Sequence, residues 1–294
     1  MTSSRNYLAV DLGAESGRTI VGSLDGKHLR LTETHRFANV PVRLPDGLHW
    51  DVLRLWSEMK AGVAISSAKV EGGLQSIGID TWGVDFALLD GQGGLLSNPF
   101  HYRDERTDGM FEEAFQRMSR EEIFANTGIQ FMQLNTLYQL LAMSVEKSPL
   151  FEVARTFVTI PDLFNYWLSG EITNEFTNAT TTQCFDPRKR DWAQRVLDAM
   201  NIPSHFFRAV TEPGTPIGVL LPPVAEETGA GGVQIVVPAC HDTGSSVVAV
   251  PAQNQDFAWI SSGTWSILGA EVREPCVNDR ALEYNFTNEG GVFG

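Results

Sequence analysis

Two short stretches of the chain bring together residue types able to do chemistry. The first, Asp11–Leu12–Gly13–Ala14–Glu15–Ser16–Gly17–Arg18, puts a carboxylate, two glycines, a hydroxyl and a guanidinium into eight residues. Glycine lets backbone N–H groups approach phosphate oxygens, the hydroxyl adds a donor, and Asp11 is suited to hold Mg²⁺ directly or through water. The stretch lacks G-x-x-x-x-G-K-[ST], so it is not a Walker-type loop. It reads equally as a hairpin turn whose glycines supply positive φ. Glu15 weighs on that side, because a carboxylate facing a polyphosphate is unfavourable unless it points outward or meets a metal.

The second stretch is His241–Asp242–Thr243, at the end of the apolar run 233–240. Asp242 offers a general base that can accept an alcohol proton during phosphoryl transfer, and its neighbours suit a polyhydroxyl substrate. The same residues also read as the N-cap of a helix over 244–250, and the two readings are compatible. Cys240, His241 and Asp242 make no nucleophile triad, since consecutive side chains on an extended strand point to opposite faces. Residues 80–85 and 102–106 cluster aromatic and charged groups as sugar pockets do. The plainer reading there is a core-filling Trp82 and a solvated Arg103–Asp104 pair of small worth.

Composition narrows the classes. The 294 residues are 43 % hydrophobic and 20 % charged, enough for a real core in a globular protein. With 22 Lys and Arg against 36 Asp and Glu, the net charge of −14 opposes binding to nucleic acid. No apolar run approaches the roughly 18–20 residues that cross a bilayer, and none reads as a signal peptide, so a cytoplasmic location with no membrane partner is expected. Cys184, Cys240 and Cys276 are widely spaced without a C-x-x-C pair and read as reduced structural thiols. The six histidines show no metal-ligand spacing, and there is no G-x-S-x-G elbow.

The elements that must carry these residues follow from periodicity. Residues 7–12 read as a buried strand, 13–18 as a turn, 19–24 as a second strand closed by Asp25–Gly26, and 29–36 as a third. Apolar residues at 52, 55, 56, 59, 63 and 64 predict an amphipathic helix over 51–70, followed by a strand over 74–79. Three strands, a helix and a strand imply an α/β domain with a mixed sheet, unlike the strand-then-helix opening of a dinucleotide-binding fold. Helices are expected over 108–118, 120–126, 135–146, 161–168 and 191–200, with breaks at Thr127–Gly128 and Ser169–Gly170. Residues 177–183 form a polar, Thr-rich stretch, and the prolines and glycines from Pro213 to Gly232 mark a loop-rich passage. Strands over 257–261 and 265–270 flank a Ser262–Gly263–Thr264 turn that echoes the opening hairpin.

In order along the chain, VDLGAESGR (10–18), SIGIDTWGVDFALLD (76–90), YRDERTDG (102–109), GIQFMQLNTLYQL (128–140), NEFTNATTTQ (174–183), HDTGSSV (241–247), SSGTWSILG (261–269) and TNEGG (287–291) resemble the carbohydrate kinases of the FGGY type. IDTWGVDF, NTLYQL and TNATTTQ point to the branch acting on L-rhamnulose. The resemblance implies the actin-like ATPase (ribonuclease H-like) fold, with a first domain over 1–243 and the start of a second over 244–294. It implies ATP and Mg²⁺ bound in a cleft and phosphorylation of the C1 hydroxyl of the small-molecule sugar L-rhamnulose, in rhamnose catabolism. Asp242 then matches the catalytic base, and Gly83, His241, Asp242 and Thr243 match sugar contacts. Ala14, Glu15, Ser16, Gly17 and Arg18 match the first phosphate loop, Thr264 a nucleotide contact, and Asp11 the Mg²⁺ anchor. Glu15 departs from the small or hydroxyl residue expected there.

Family members are considerably longer, and their adenosine pocket lies beyond the point matching residue 294. The expectation is therefore that these 294 residues alone do not phosphorylate sugar. The competing reading is a catalytically idle sugar-binding fragment or regulator, or a related kinase for another ketose.

Overall fold

The computed structural model describes residues 4–254, 256–263 and 265–292. Arg5–Leu12, Ser16–Leu24 and Leu29–Ala38 form an antiparallel meander. Leu74–Thr81 lies parallel to the first strand, Gln234–Val237 lies parallel to Leu74–Thr81, and Thr215–Val219 closes the edge antiparallel. Together these six strands make one mixed sheet, the α/β architecture that the element order implies.

Side-chain alternation decides what each face of the sheet carries. Asn6, Leu8, Val10 and Leu12 are buried on one face of the first strand, so Asp11 belongs to the other. On Leu74–Thr81 the buried residues Ile77, Ile79 and Thr81 likewise leave Asp80 on that second face. Asp11 and Asp80 are direct partners in the parallel ladder. Two carboxylates are thereby brought together at the carboxyl ends of neighbouring strands, where open α/β sheets bind ligands.

The long helix Val52–Lys69 begins at Asp51, whose side chain accepts from the Arg54 N–H at 3.1 Å. Its buried residues Val52, Leu55, Met59 and Val63 follow helical spacing and face the sheet. Burying each such apolar side chain is worth roughly 1.5–3 kcal/mol. A second core, including Ile123, Leu137, Leu140, Phe157 and Leu197, is built largely by helices Met110–Arg117, Arg120–Thr127, Thr136–Val145 and Gln194–Ala199. Ser119 caps the second of these by accepting from the Glu122 N–H, and Gly128, at φ 66°, ends it.

Several boundaries differ from the sequence reading. The first turn is shorter than 13–18, because Ser16, Gly17 and Arg18 already lie on the second strand and Arg18 pairs with Asp11 in the ladder. The passage expected to be loop holds the edge strand Thr215–Val219 and helix Pro222–Thr228. Its prolines fill the first helical turn, where their missing N–H groups cost nothing, and Gly229, at φ 66°, is the C-cap. The Thr-rich stretch is the helix Phe176–Thr181. Residues 191–200 divide into a two-residue strand, Asp191–Trp192, and helix Gln194–Ala199.

The expected division between 243 and 244 falls within helix Asp242–Val248. Beyond it, Ala258–Ser262 and Ser266–Ala270 pair with each other as a two-stranded ribbon. Among the described residues no helix is long and apolar enough to cross a membrane.

The helix-to-sheet contact allows a direct test at Gly62, a buried helix residue. A Cβ there would lie 2.4 Å from Thr19 Cγ2 and 2.9 Å from its Oγ1. Gly62→Ala gains up to about 1 kcal/mol of helix propensity, but overpacking costs about 1–3 kcal/mol. Net destabilisation is expected as a lower urea midpoint at unchanged m-value, and a variant at least as stable as the parent would contradict this packing.

Candidate active site

The hairpin at Gly13–Ser16 is tied from inside. Gly13 N–H donates to the Ser16 carbonyl at 2.9 Å, while Asn39 donates its backbone N–H to the Glu15 carbonyl and its side-chain amide to the Gly13 carbonyl, both at 2.9 Å. The N–H groups of Ala14 and Glu15 donate to no described residue, which leaves adjacent donors at the strand end, suited to an anion. Glu15 is exposed, the outward orientation its charge requires. Gly17 is buried, and a Cβ there would sit 2.3 Å from Phe37 Cε2, so its lack of a side chain serves hairpin packing. The Arg18 guanidinium holds Asp11 Oδ2 at 2.7 Å from Nε and 2.6 Å from the terminal nitrogen.

Beside Asp11 stands Asp80, which the sequence reading did not single out as a site residue. Its Oδ1 is shut off from solvent and has no hydrogen-bond partner. Burial pushes its carboxyl well above the usual range, and the negative charges of Asp11 and Asp242 add to the shift. No group of three or more metal-ligating side chains occurs among the described residues. Mg²⁺, however, is usually held by one or two carboxylates with water and phosphate oxygens completing its shell. Asp11 with the orphaned oxygen of Asp80 fits that pattern.

His241 is brought beside the sheet by a parallel bridge to Thr81, with the Thr81 N–H donating to the Cys240 carbonyl at 2.9 Å. Its backbone N–H donates to Thr177 Oγ1 at 3.1 Å, and Thr177 donates to Glu175 Oε2 at 2.7 Å. Glu175 caps the Thr-rich helix by accepting from the N–H groups of Thr177 and Asn178, both at 2.9 Å. Burial lifts the Glu175 carboxyl to about 7 despite these bonds. At its far end the same helix holds the Gly83 loop: Thr181 Oγ1 accepts from the Val84 N–H at 3.0 Å and lies 2.9 Å from where a Gly83 Cβ would be. Val84 is at φ 67°, a strained conformation for a β-branched residue.

Asp85 anchors that loop from beneath. It accepts from the indoles of Trp50 and Trp82 at 2.6 and 2.9 Å and from Gln139 at 2.8 Å. Burial raises its carboxyl to about 6. Trp82 is thus a buried donor to a carboxylate as well as a core filler.

Asp242 opens helix Asp242–Val248, with His241 as its N-cap residue. The hydrogen bonds and ion pair of its carboxylate all fall on Oδ1, from the Thr243 N–H at 2.6 Å, Thr243 Oγ1 at 3.2 Å and His241 Nε2 at 3.4 Å. Its side chain is 39 % exposed, and Oδ2 takes no hydrogen bond from a described residue. On the other side of its ring, His241 Nδ1 meets Glu289 Oε2 at 3.1 Å. Burial by itself would lower the imidazole, but the Glu289 charge and hydrogen bond, with Asp242 adding, raise it to about 9. Glu289 lies in TNEGG, a stretch legible as a motif but not as a site residue.

Gly83, His241, Asp242 and Thr243 therefore gather around one short helix, and Asp80 feels the charges of both Asp11 and Asp242 at the sheet end. Arg103 and Asp104 are not a solvated pair. Asp104 is buried and accepts from the N–H groups of Leu48 and Arg106, whereas Arg103 lines an open pocket of about 290 Å³ with Tyr102, Gln133 and Leu134. Thr264 lies outside the described residues.

A mixed sheet of this topology, with carboxylates at its carboxyl ends and a glycine hairpin beside them, has the actin-like ATPase fold of the sugar kinases. The description "FGGY family of carbohydrate kinases, N-terminal domain" matches residues 6–249, and the chain belongs to that family. It is 45 % identical over 287 residues to a protein of Oceanobacillus iheyensis named rhamnulokinase, covering 97 % of this chain and 60 % of that one. A rhamnulokinase of Bacteroides thetaiotaomicron is 40 % identical over 290 residues, 99 % of this chain and 60 % of that one. The chain thus spans about 60 % of the length of the curated relatives it matches. Among solved structures, a ligand-bound xylulose kinase from Lactobacillus acidophilus superposes with a TM-score of 0.84 at 18 % identity, over 94 % of this chain and 56 % of that one.

The buried Asp85 yields a pH test. A carboxyl with a folded pKa of about 6 and an unfolded value near 3.9 is protonated more readily when folded. The stability it contributes is present below about pH 4 and is lost as pH rises through 6. Asp85→Asn does not titrate, so the parent's urea midpoint minus that of the variant should fall steadily between pH 4 and 7. A constant difference would show that Asp85 carries no such burial penalty.

Proposed function

We propose that the protein is an ATP-dependent kinase that transfers the γ-phosphoryl group to the C1 hydroxyl of L-rhamnulose, giving L-rhamnulose 1-phosphate in the cytoplasm. The observation that carries this reading is the Asp242 carboxylate, held on Oδ1 with Oδ2 unencumbered and adjoining the Asp11–Asp80 pair. The names of its relatives support the choice of sugar.

In this reading Asp242 Oδ2 takes the proton of the C1 hydroxyl as that oxygen bonds to the γ-phosphorus and the bond to the β-phosphate bridge breaks. His241, Thr243 and the Gly83 backbone position the sugar. The free N–H groups of Ala14 and Glu15 receive phosphate oxygens, with Ser16 and Arg18 beside them, and Thr264 is a further nucleotide contact. Asp11 and Asp80 would hold Mg²⁺, which when bound supplies positive charge against the phosphates.

ADP release by the protein at its full natural length tests the proposal. L-rhamnulose should exceed glycerol and D-xylulose in kcat/KM, since a pocket built to pair particular hydroxyls rejects analogues by up to roughly 10⁴–10⁵. Asp242→Asn should lower turnover by about 10²–10⁴ and leave sugar affinity within a few-fold. Near-parental turnover in that variant would remove Asp242 as the base, and preference for glycerol or D-xylulose would remove the rhamnulose assignment. Residues 1–294 alone are expected to release no ADP above a sugar-free blank.

A further inference from the structure

The contact between Glu289 and His241 joins two parts of the chain far apart in sequence. Glu289 belongs to a segment pinned by specific bonds: Gly290 N–H donates to Thr180 Oγ1 at 2.9 Å, and the Asn288 side-chain amide donates to the Gly128 carbonyl at 2.8 Å. These contacts hold it over the Thr-rich helix that also carries the His241 backbone. The Glu289 side chain is only 27 % exposed, and His241 is buried. The ring therefore lies between two carboxylates, with Nδ1 3.1 Å from Glu289 Oε2 and Nε2 3.4 Å from Asp242 Oδ1.

We propose that Glu289 is a positioning residue for the base, gripping Nδ1 of His241 so that Nε2 faces Asp242 Oδ1 and the carboxylate is fixed with Oδ2 free. The chemistry requires both ring nitrogens to be donors. Neutral imidazole has one donor and one acceptor, so it can serve only one of two carboxylates, whereas the imidazolium serves both. Besides Glu289 and Asp242, the charged group nearest in effect is Glu175, at the cap of the adjoining helix. All three favour the imidazolium against the burial that opposes it. The imidazolium adds an ion pair at 3.4 Å to the two bonds from Thr243, so this arrangement restrains Asp242 more firmly than Thr243 alone would. His241 is also proposed to touch the sugar, while Glu289 acts through it.

The proposal rests on Asp242 being the base, and the experiment separates the two. In protein labelled in its histidine rings, the His241 resonance, assigned with His241→Asn, should titrate near 9 and fall toward the ordinary value near 6.5 in Glu289→Gln, which keeps the shape and loses the charge. With sugar and ATP, Glu289→Gln should lower kcat about tenfold at pH 8 with sugar KM nearly unchanged. The alkaline limb of its kcat profile should move to lower pH, and Glu289→Asp should recover part of that displacement. A His241 titration unchanged in Glu289→Gln, superimposable pH profiles, or a loss confined to sugar KM would overturn the proposal. If the parent at its full natural length phosphorylates no sugar, the functional reading fails, and the histidine titration alone still decides whether Glu289 governs His241.

Discussion

The repulsion between Asp11 and Asp80 is the constraint to which the rest of the site answers. They are paired residues on parallel strands, and such strands run about 4.8 Å apart. At that separation two unit negative charges repel by roughly 3 kcal/mol at an effective dielectric of about 20. Arg18 offsets part of this by holding Asp11 at 2.6 Å. Half-buried Asp80 has no comparable partner on Oδ1, and desolvation first, with the charge of Asp11 adding to it, makes it hold its proton more tightly. A pair of carboxylates kept beside the Gly13–Ser16 hairpin favours the arrival of positive charge from outside.

A second constraint concerns how a short polar segment is kept in place within the fold. Asp162, in helix Ile160–Ser169, accepts from Thr159 and Thr173 and from the backbone N–H of Glu175. Glu175 then caps the Thr-rich helix and orients Thr177, which holds the His241 backbone. This chain of buried carboxylates and hydroxyls connects the core to the His241 backbone through satisfied hydrogen bonds. Buried polar networks of this kind are favourable only when nearly every member is paired, so the loss of one hydroxyl would be felt at His241. The four threonines within Phe176–Gln183 thus have structural work close to His241.

How much of this was legible in the sequence depended on the range of the signal. The mixed sheet, the helix starting at Asp51 and the breaks at Gly128 and Gly170 followed from local periodicity and caps, because each is settled within a turn or two. The region 213–232 was misread because proline and glycine mark helix ends as readily as loops, and only packing against the sheet distinguishes the two. The Thr-rich helix has little apolar periodicity of its own, and its stability comes from the Glu175 cap and complete burial. Asp242 and His241 stood out because they end a strand. Asp80 and Glu289 did not, since Asp80 matters through strand register and Glu289 through a fold-back of 48 residues, and neither relation is written in nearby sequence.

The placement of Gly83 shows why the two kinds of information have to be combined. The resemblance makes Gly83 a sugar contact, but the nearest obstacle to a side chain there is Thr181 of the same protein. Its neighbour Val84 adopts φ 67° and is clamped by Thr181 on its N–H and by Thr136 on its carbonyl, while the next residue, Asp85, is held by two indoles. Strain of about 1–3 kcal/mol at such a residue persists only where surrounding contacts over-determine it, and here they come from three separate elements. The loop is therefore rigid by construction, and a side chain at 83 would displace the Thr-rich helix that also seats His241. The Gly83 loop and the His241–Asp242 segment consequently share one mechanical support.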